Sequence, residues 1–104
     1  MSNKAGFGLS EKAMEQILAV LQCNPRIKRA IIYGSRALGT HKEASDIDLT
    51  LTGDQLTYDD LLSISMQLDD LLLPYKMDIS LFHQIDNQHV VDHIVRHGRE
   101  IYCA

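Results

Sequence analysis

The chain has 104 residues, 45% of them hydrophobic and 23% charged, with a formal net charge of −4 at pH 7. That length suits one folding unit of ordinary soluble composition, with space for a real core and none for a second unit. The acidic balance disfavours a general nucleic-acid binder, which would carry a basic face, and no apolar run approaches the ~20 residues that span a bilayer.

Residues 1–9 are small and polar with two glycines, and read as a flexible lead-in. They contain no apolar h-region of an export signal, so the expected location is the cytoplasm. Ser10 suits an N-cap and Glu11 the positive end of a helix. Met14, Ile17, Leu18 and Leu21 follow at helical spacing until Asn24-Pro25 stops the helix. Residues 29–33, Arg-Ala-Ile-Ile-Tyr, form a short apolar run with β-branched members that ends at Gly34, which predicts a buried strand.

Residues 35–45 read as turn and loop, with one helical turn around Arg36 to Leu38. Residues 46–52 alternate strictly: Ile47, Leu49 and Leu51 take one face of a strand, and Asp46, Asp48, Thr50 and Thr52 the other. Thr57 and Asp60 resemble a capping box, opening a helix with Leu61, Ile64, Leu68, Leu71 and Leu72 that closes at Pro74. Residues 76–82 alternate again, with Asp78 and Ser80 on the polar side. Residues 86–97 predict a last helix ended by Gly98, and Ile101-Tyr102 a short edge strand. The expected fold class is α/β (α+β): a small mixed sheet of three to four strands, helices packed on one face and an open polar face on the other.

The aspartates fall on that polar face. Two carboxylates spaced two apart on a strand point the same way, although aspartate is a poor strand former and like charges on one face repel. A cation compensates such repulsion, and Asp78 from a neighbouring strand would complete an oxygen site for a hard divalent ion. Upstream, Gly34-Ser35 offers backbone N–H groups and a hydroxyl to phosphate oxygens, with the bidentate cation of Arg36 next to it. Gly39 permits the bend that returns the chain to Asp46.

Cys23 and Cys103 fit no metal or redox spacing and read as reduced thiols. His89, His93 and His97 recur every four residues, but the glutamate of a zinc helix is absent, so exposed helix histidines are the better reading. His41 and Lys42, in the loop before the aspartate doublet, are candidates to touch phosphate, and a solvated loop is at least as good a reading.

Gly34-Ser35-Arg36-Ala37-Leu38-Gly39, then Ser45-Asp46-Ile47-Asp48-Leu49 after the ten-residue gap that follows Ser35, then Met77-Asp78-Ile79, resemble the nucleotidyltransferases of the DNA polymerase β superfamily, most closely the minimal nucleotidyltransferase (MNT) branch. The resemblance runs along nearly the whole chain. Leu38 departs from it, since relatives often carry a basic residue there. It implies a polymerase β-like fold over residues 1–104, with Asp46, Asp48 and Asp78 as catalytic residues and ligands of two Mg²⁺. It implies that Gly34, Ser35, Arg36 and Ser45 bind the nucleotide, ATP or another NTP. Transfer of NMP to a hydroxyl is the implied activity. The implied partner is a HEPN-domain toxin modified on a tyrosine, with this chain as antitoxin of a type VII-like pair, and self-association is compatible with it. The competing readings are an NTP-binding or partner-binding module without catalysis, and nucleotidyl transfer to a small molecule.

Overall fold

The structure is a computed structural model that describes residues 4–104. The first three residues of the expected lead-in lie outside the described residues. The rest of that segment is not loose. Strands β1 (Lys4–Gly6) and β2 (Leu9–Ser10) form a small antiparallel hairpin. Leu9 is fully buried, and the turn backbone at Phe7 (φ 58°) and Gly8 (φ 74°) is left-handed. Apolar Phe7 between two glycines, with Leu9 next to them, is the local sign of it, but the contact that secures the hairpin comes from Arg36, far along the chain.

Helix α1 (Glu11–Gln22) starts where expected, with the Ser10 side chain accepting from the Ala13 amide at 3.1 Å. Strand β3 (Arg29–Tyr33) leads into the four-residue helix α2 (Ser35–Leu38), and β4 (Ile47–Thr52) follows the loop. Helix α3 (Tyr58–Asp69) opens on the complete Thr57–Asp60 capping box. Strand β5 (Met77–Leu81), a 3₁₀ turn at Phe82–Gln84, helix α4 (Gln88–His97) and strand β6 (Arg99–Cys103) complete the chain. Both cysteines are free and exposed.

Four strands form one sheet in the order β5-β4-β3-β6, parallel between β4 and β5 and antiparallel elsewhere. A parallel neighbour needs a crossover, and α3 supplies it. The core lies between one sheet face and helices α1 and α3: Ile17 and Leu21 meet Ala30, Ile32, Leu49 and Leu51, with Ile64, Leu68 and Leu81 beside them. Burying each such side chain contributes about 1.5–3 kcal/mol.

The expected one-sided packing holds for α1 and α3 and not for α4. Directly paired residues share a face, so Ile31 and Tyr33 lie with Thr50 and Asp48, on the side away from the core. Helix α4 lies on that side: the His93 ring meets Tyr33 edge-on at 6.2 Å, and Gly98 passes so close to Ile31 that a Cβ would stand 2.6 Å from its Cγ2. The buried Ile94 anchors it. The physical reason is visible in β3, whose Ala30-Ile31-Ile32-Tyr33 run is apolar on both pleats and needs cover on both faces. The polar face is therefore half roofed, and stays open toward β4 and β5.

Candidate active site

The alternation of β4 decides where the carboxylates go. Ile47, Leu49 and Leu51 are fully buried in the core, so Asp46 and Asp48, which flank Ile47, project to the opposite side. Asp46 sits one residue before the strand and is exposed. The register of the parallel pair sets Asp48 directly beside Asp78, with backbones about 4.8 Å apart. The antiparallel pair sets Tyr33 on the other flank of Asp48.

Among the described residues the ion pairs are Arg26–Asp60, Lys28–Asp54 and Arg29–Glu100. None involves Asp46, Asp48 or Asp78. Partial burial is the largest cause raising the Asp48 carboxyl above its ordinary range; the charges of Asp78 and then Asp46 raise it further. Burial likewise raises the Tyr33 phenol first, Ser80 lowers it, and Asp48 and Asp78 raise it. Among the described residues no lysine or arginine is paired with any of the three carboxylates. Among the described residues no three His, Cys, Asp or Glu side chains are gathered into a ready metal cage. An all-carboxylate donor set, two of its members exposed and unpaired, still fits a hard divalent ion by its chemistry.

Gly34 closes β3 against this site. Its φ is 78°, and a Cβ there would run into the Asp48 carboxylate, so only glycine fits. The Gly34 carbonyl accepts from the Ala37 and Leu38 amides and the Ser35 carbonyl from the Thr40 amide, which braces α2. Its opening N–H groups have no partner within so short a helix. Gly34 thus lies against Asp48, with Ser35 the next residue in the turn.

Arg36 is placed otherwise than expected. It is only 2% exposed. Nε and Nη2 donate to the Ser45 carbonyl at 3.2 and 2.8 Å, Nη2 also to Glu43 at 3.3 Å, and Nη1 to Phe7 at 2.8 Å. The guanidinium stands 4.9 Å from the Tyr75 ring centre. Its donors are spent on backbone carbonyls, so in this structure it clamps the loop and the N-terminal hairpin rather than facing a ligand. The expectation of phosphate contact came from the charge of Arg36 beside a Gly-Ser turn, and charge alone does not say which way the side chain turns. Ser45 belongs to the same clamp: its hydroxyl accepts from the Lys42 amide at 2.8 Å and its carbonyl takes two Arg36 bonds. Both residues hold the chain immediately before Asp46.

The residue that sequence reasoning missed is His93. It is half-buried, and its Nε2 accepts from the Gly34 amide at 2.9 Å. The signal available was its position in α4 one residue before the buried Ile94, on a helix that β3 required as cover. His89 and His97 are exposed. Concave grooves of about 430 and 630 Å³ lie at the Thr52 end of the sheet, lined by residues such as Phe82, Ile94 and Gly98. The carboxylates sit at the opposite end of β4, on open surface.

The pattern that describes the family "Polymerase beta, Nucleotidyltransferase" matches residues 15–104. A Methanocaldococcus jannaschii protein named as a protein adenylyltransferase is 31% identical over 101 residues, covering 88% of this chain and 97% of that one. Two solved structures share the fold. A toxin–antitoxin crystal structure with AMP-PNP aligns with a TM-score of 0.71 at 19% identity, over 88% of this chain and 73% of that one. The MNT antitoxin complex with the tri-AMPylated HEPN toxin of Shewanella oneidensis aligns at 0.67 and 14%, over 90% and 72%. A strand, a Gly-Ser turn pressed on the first strand carboxylate and a third aspartate in register fit the same description from the residues upward. The chain belongs to the polymerase beta nucleotidyltransferase family and is an enzyme of that class.

Proposed function

We propose that the whole chain acts as one Mg²⁺-dependent nucleotidyltransferase domain that moves AMP from ATP to a tyrosine hydroxyl of a HEPN-domain partner, as the antitoxin of a toxin–antitoxin pair. The observation that carries this reading is the in-register Asp48–Asp78 pair, in no ion pair among the described residues, with the Gly34 turn pressed against Asp48. The relative's name and the AMPylated toxin in a structure of the same fold support the choice of AMP and of acceptor.

Asp46, Asp48 and Asp78 would hold the ions. Mg²⁺ bound there supplies neutralisation of phosphate charge as pyrophosphate departs. The chain's own part is positioning. The turn made at Gly34 presents the Ser35 amide and hydroxyl to the terminal phosphates, while the Gly34 amide itself is held by His93. The acceptor oxygen attacks the α-phosphorus, a new P–O bond forms, and the bond to the bridging oxygen of the β-phosphate breaks. The acceptor proton passes to Asp78, the exposed carboxylate on the edge strand, or to water. Tyr58, Leu62 and Met66 form an exposed apolar stripe along α3, at 61, 46 and 67% exposure, which suits contact with a helical partner.

The competing reading is an NTP- or partner-binding module. It is favoured by one observation, that the carboxylates are adjacent without forming a closed cage. Incubation with ATP labelled at the α-phosphate, Mg²⁺ and a HEPN-domain protein encoded beside this chain separates the two. The expected result is label on a tyrosine of the partner, absent with Asp46→Asn. Nucleotide binding with no label on the partner would establish the module instead. Among the described residues no helix is long and apolar enough to cross a membrane.

A further inference from the structure

We infer that His93 is a positioning residue for the nucleotide-phosphate turn, acting through the Gly34 amide. This deepens the nucleotidyltransferase reading and rests on it.

Gly34 lies at the junction of β3 and α2 with a left-handed φ of 78° and its Cα against the Asp48 carboxylate. A glycine has little steric preference to hold that conformation by itself. Its amide comes after the last residue of β3, beyond the paired stretch Arg29–Tyr33, and takes its partner from α4: His93 Nε2 at 2.9 Å. Accepting at Nε2 makes the imidazole neutral with its proton on Nδ1. The ring is itself fixed, edge-on to Tyr33 at 6.2 Å and tilted against His97 at 5.4 Å between centroids. Tyr33 in turn pairs with Asp48 across the sheet. The imidazole thus ties the turn, strand β3 beside Asp48 and the roof helix at one point. Holding the Gly34 amide fixes the Tyr33–Gly34 peptide plane, and so the entry into the turn whose next amide, that of Ser35, would face phosphate. His93 itself donates nothing to the nucleotide; its effect is to hold the turn in the binding conformation before the ligand arrives.

The test uses the full chain and two variants that separate acceptor from ring. His93→Gln keeps an acceptor at the reach of Nε2 and loses the ring. His93→Phe keeps the ring against Tyr33 and loses the acceptor. MgATP affinity is measured for each, together with the Gly34 amide resonance of the free protein, which reports the hydrogen bond without any ligand. The expected result is a weakening of MgATP binding by about tenfold or more in His93→Phe, with the Gly34 resonance shifted. In His93→Gln the affinity stays within about threefold of wild type and the resonance is closer to it. Phe binding as tightly as wild type, or both variants losing affinity equally, would overturn the positioning role while leaving the enzyme reading intact. Wild-type protein that binds no MgATP would overturn both.

Discussion

Replacing Asp48 with asparagine should abolish nucleotidyl transfer and at the same time make the free protein more stable. The loss follows from the position of Asp48 between Asp78 and the Gly34 turn. A ligand that holds a Lewis-acid ion on a phosphoryl oxygen carries several kcal/mol of transition-state stabilisation, or about 10³-fold in rate. The gain follows from its electrostatics. Burial, Asp78 and Asp46 all raise the Asp48 carboxyl, so its contribution to stability is fully present below the ordinary carboxylate range and is lost as pH rises through the raised value. At neutral pH the ionised group opposes folding. Like charges facing each other across strands cost about 0.2–1 kcal/mol, which in a domain of this size corresponds to a rise in Tm of about 1–5 °C for the variant. Asp60 runs the other way. The Thr57 amide is the largest cause lowering it, with Arg26, the Thr57 hydroxyl and Asn24 adding, so its contribution is lost as pH falls through its lowered value. Asp48→Asn should therefore keep the acid-side loss of stability and shed the decline on the neutral side. Thermal melts from pH 3 to 8 read both limbs. A variant less stable than wild type at pH 7 would mean that Asp48 serves the fold.

Arg36→Met should unfold the protein far more readily than any change among the aspartates. It removes every donor from the carbonyls of Phe7, Glu43 and Ser45 and the contact with Tyr75. A buried acceptor left without a partner costs about 1–3 kcal/mol; Phe7 and Ser45 are half-buried while Glu43 is exposed to water, so a total loss of about 2–4 kcal/mol is expected, a large share of the stability of a small domain. The midpoint of urea unfolding measures it. Arg36→Lys keeps the charge without the planar fork, and should recover part of the stability while leaving Ser45, and with it Asp46, less firmly held. If Arg36 served the nucleotide by direct contact alone, Arg36→Met would leave the unfolding midpoint unchanged and weaken only ATP binding.

Much of this arrangement was legible in the residues because it is local. The strict alternation of residues 46–52 fixed which way the aspartates point, and Thr57 with Asp60 fixed the start of α3. The adjacency of Asp48 and Asp78 followed once two alternating strands were joined by a helix of crossover length. What stayed hidden was set by long-range contact. Arg36 reads as a phosphate ligand from its neighbours in sequence, yet Phe7, nearly thirty positions away, takes one of its bonds. The same contact turns the expected lead-in into a hairpin. The seat of α4 was written in the two-sided apolarity of β3, and His93 followed from that seat, since a helix roofing β3 must turn some residue toward the end of the strand at Gly34. A four-residue histidine repeat read alone points to surface, and for His89 and His97 it does.

The central claim is that Asp48, with its two acidic neighbours, holds a divalent ion beside a triphosphate. Crystals grown with Mn²⁺ and AMP-PNP test it through the anomalous signal of manganese. A peak touching Asp48 and shared with Asp46 or Asp78, with phosphate density over Gly34 and Ser35, is the predicted result. Nucleotide bound in one of the grooves near Thr52, or manganese confined to acids elsewhere on the surface, would contradict it.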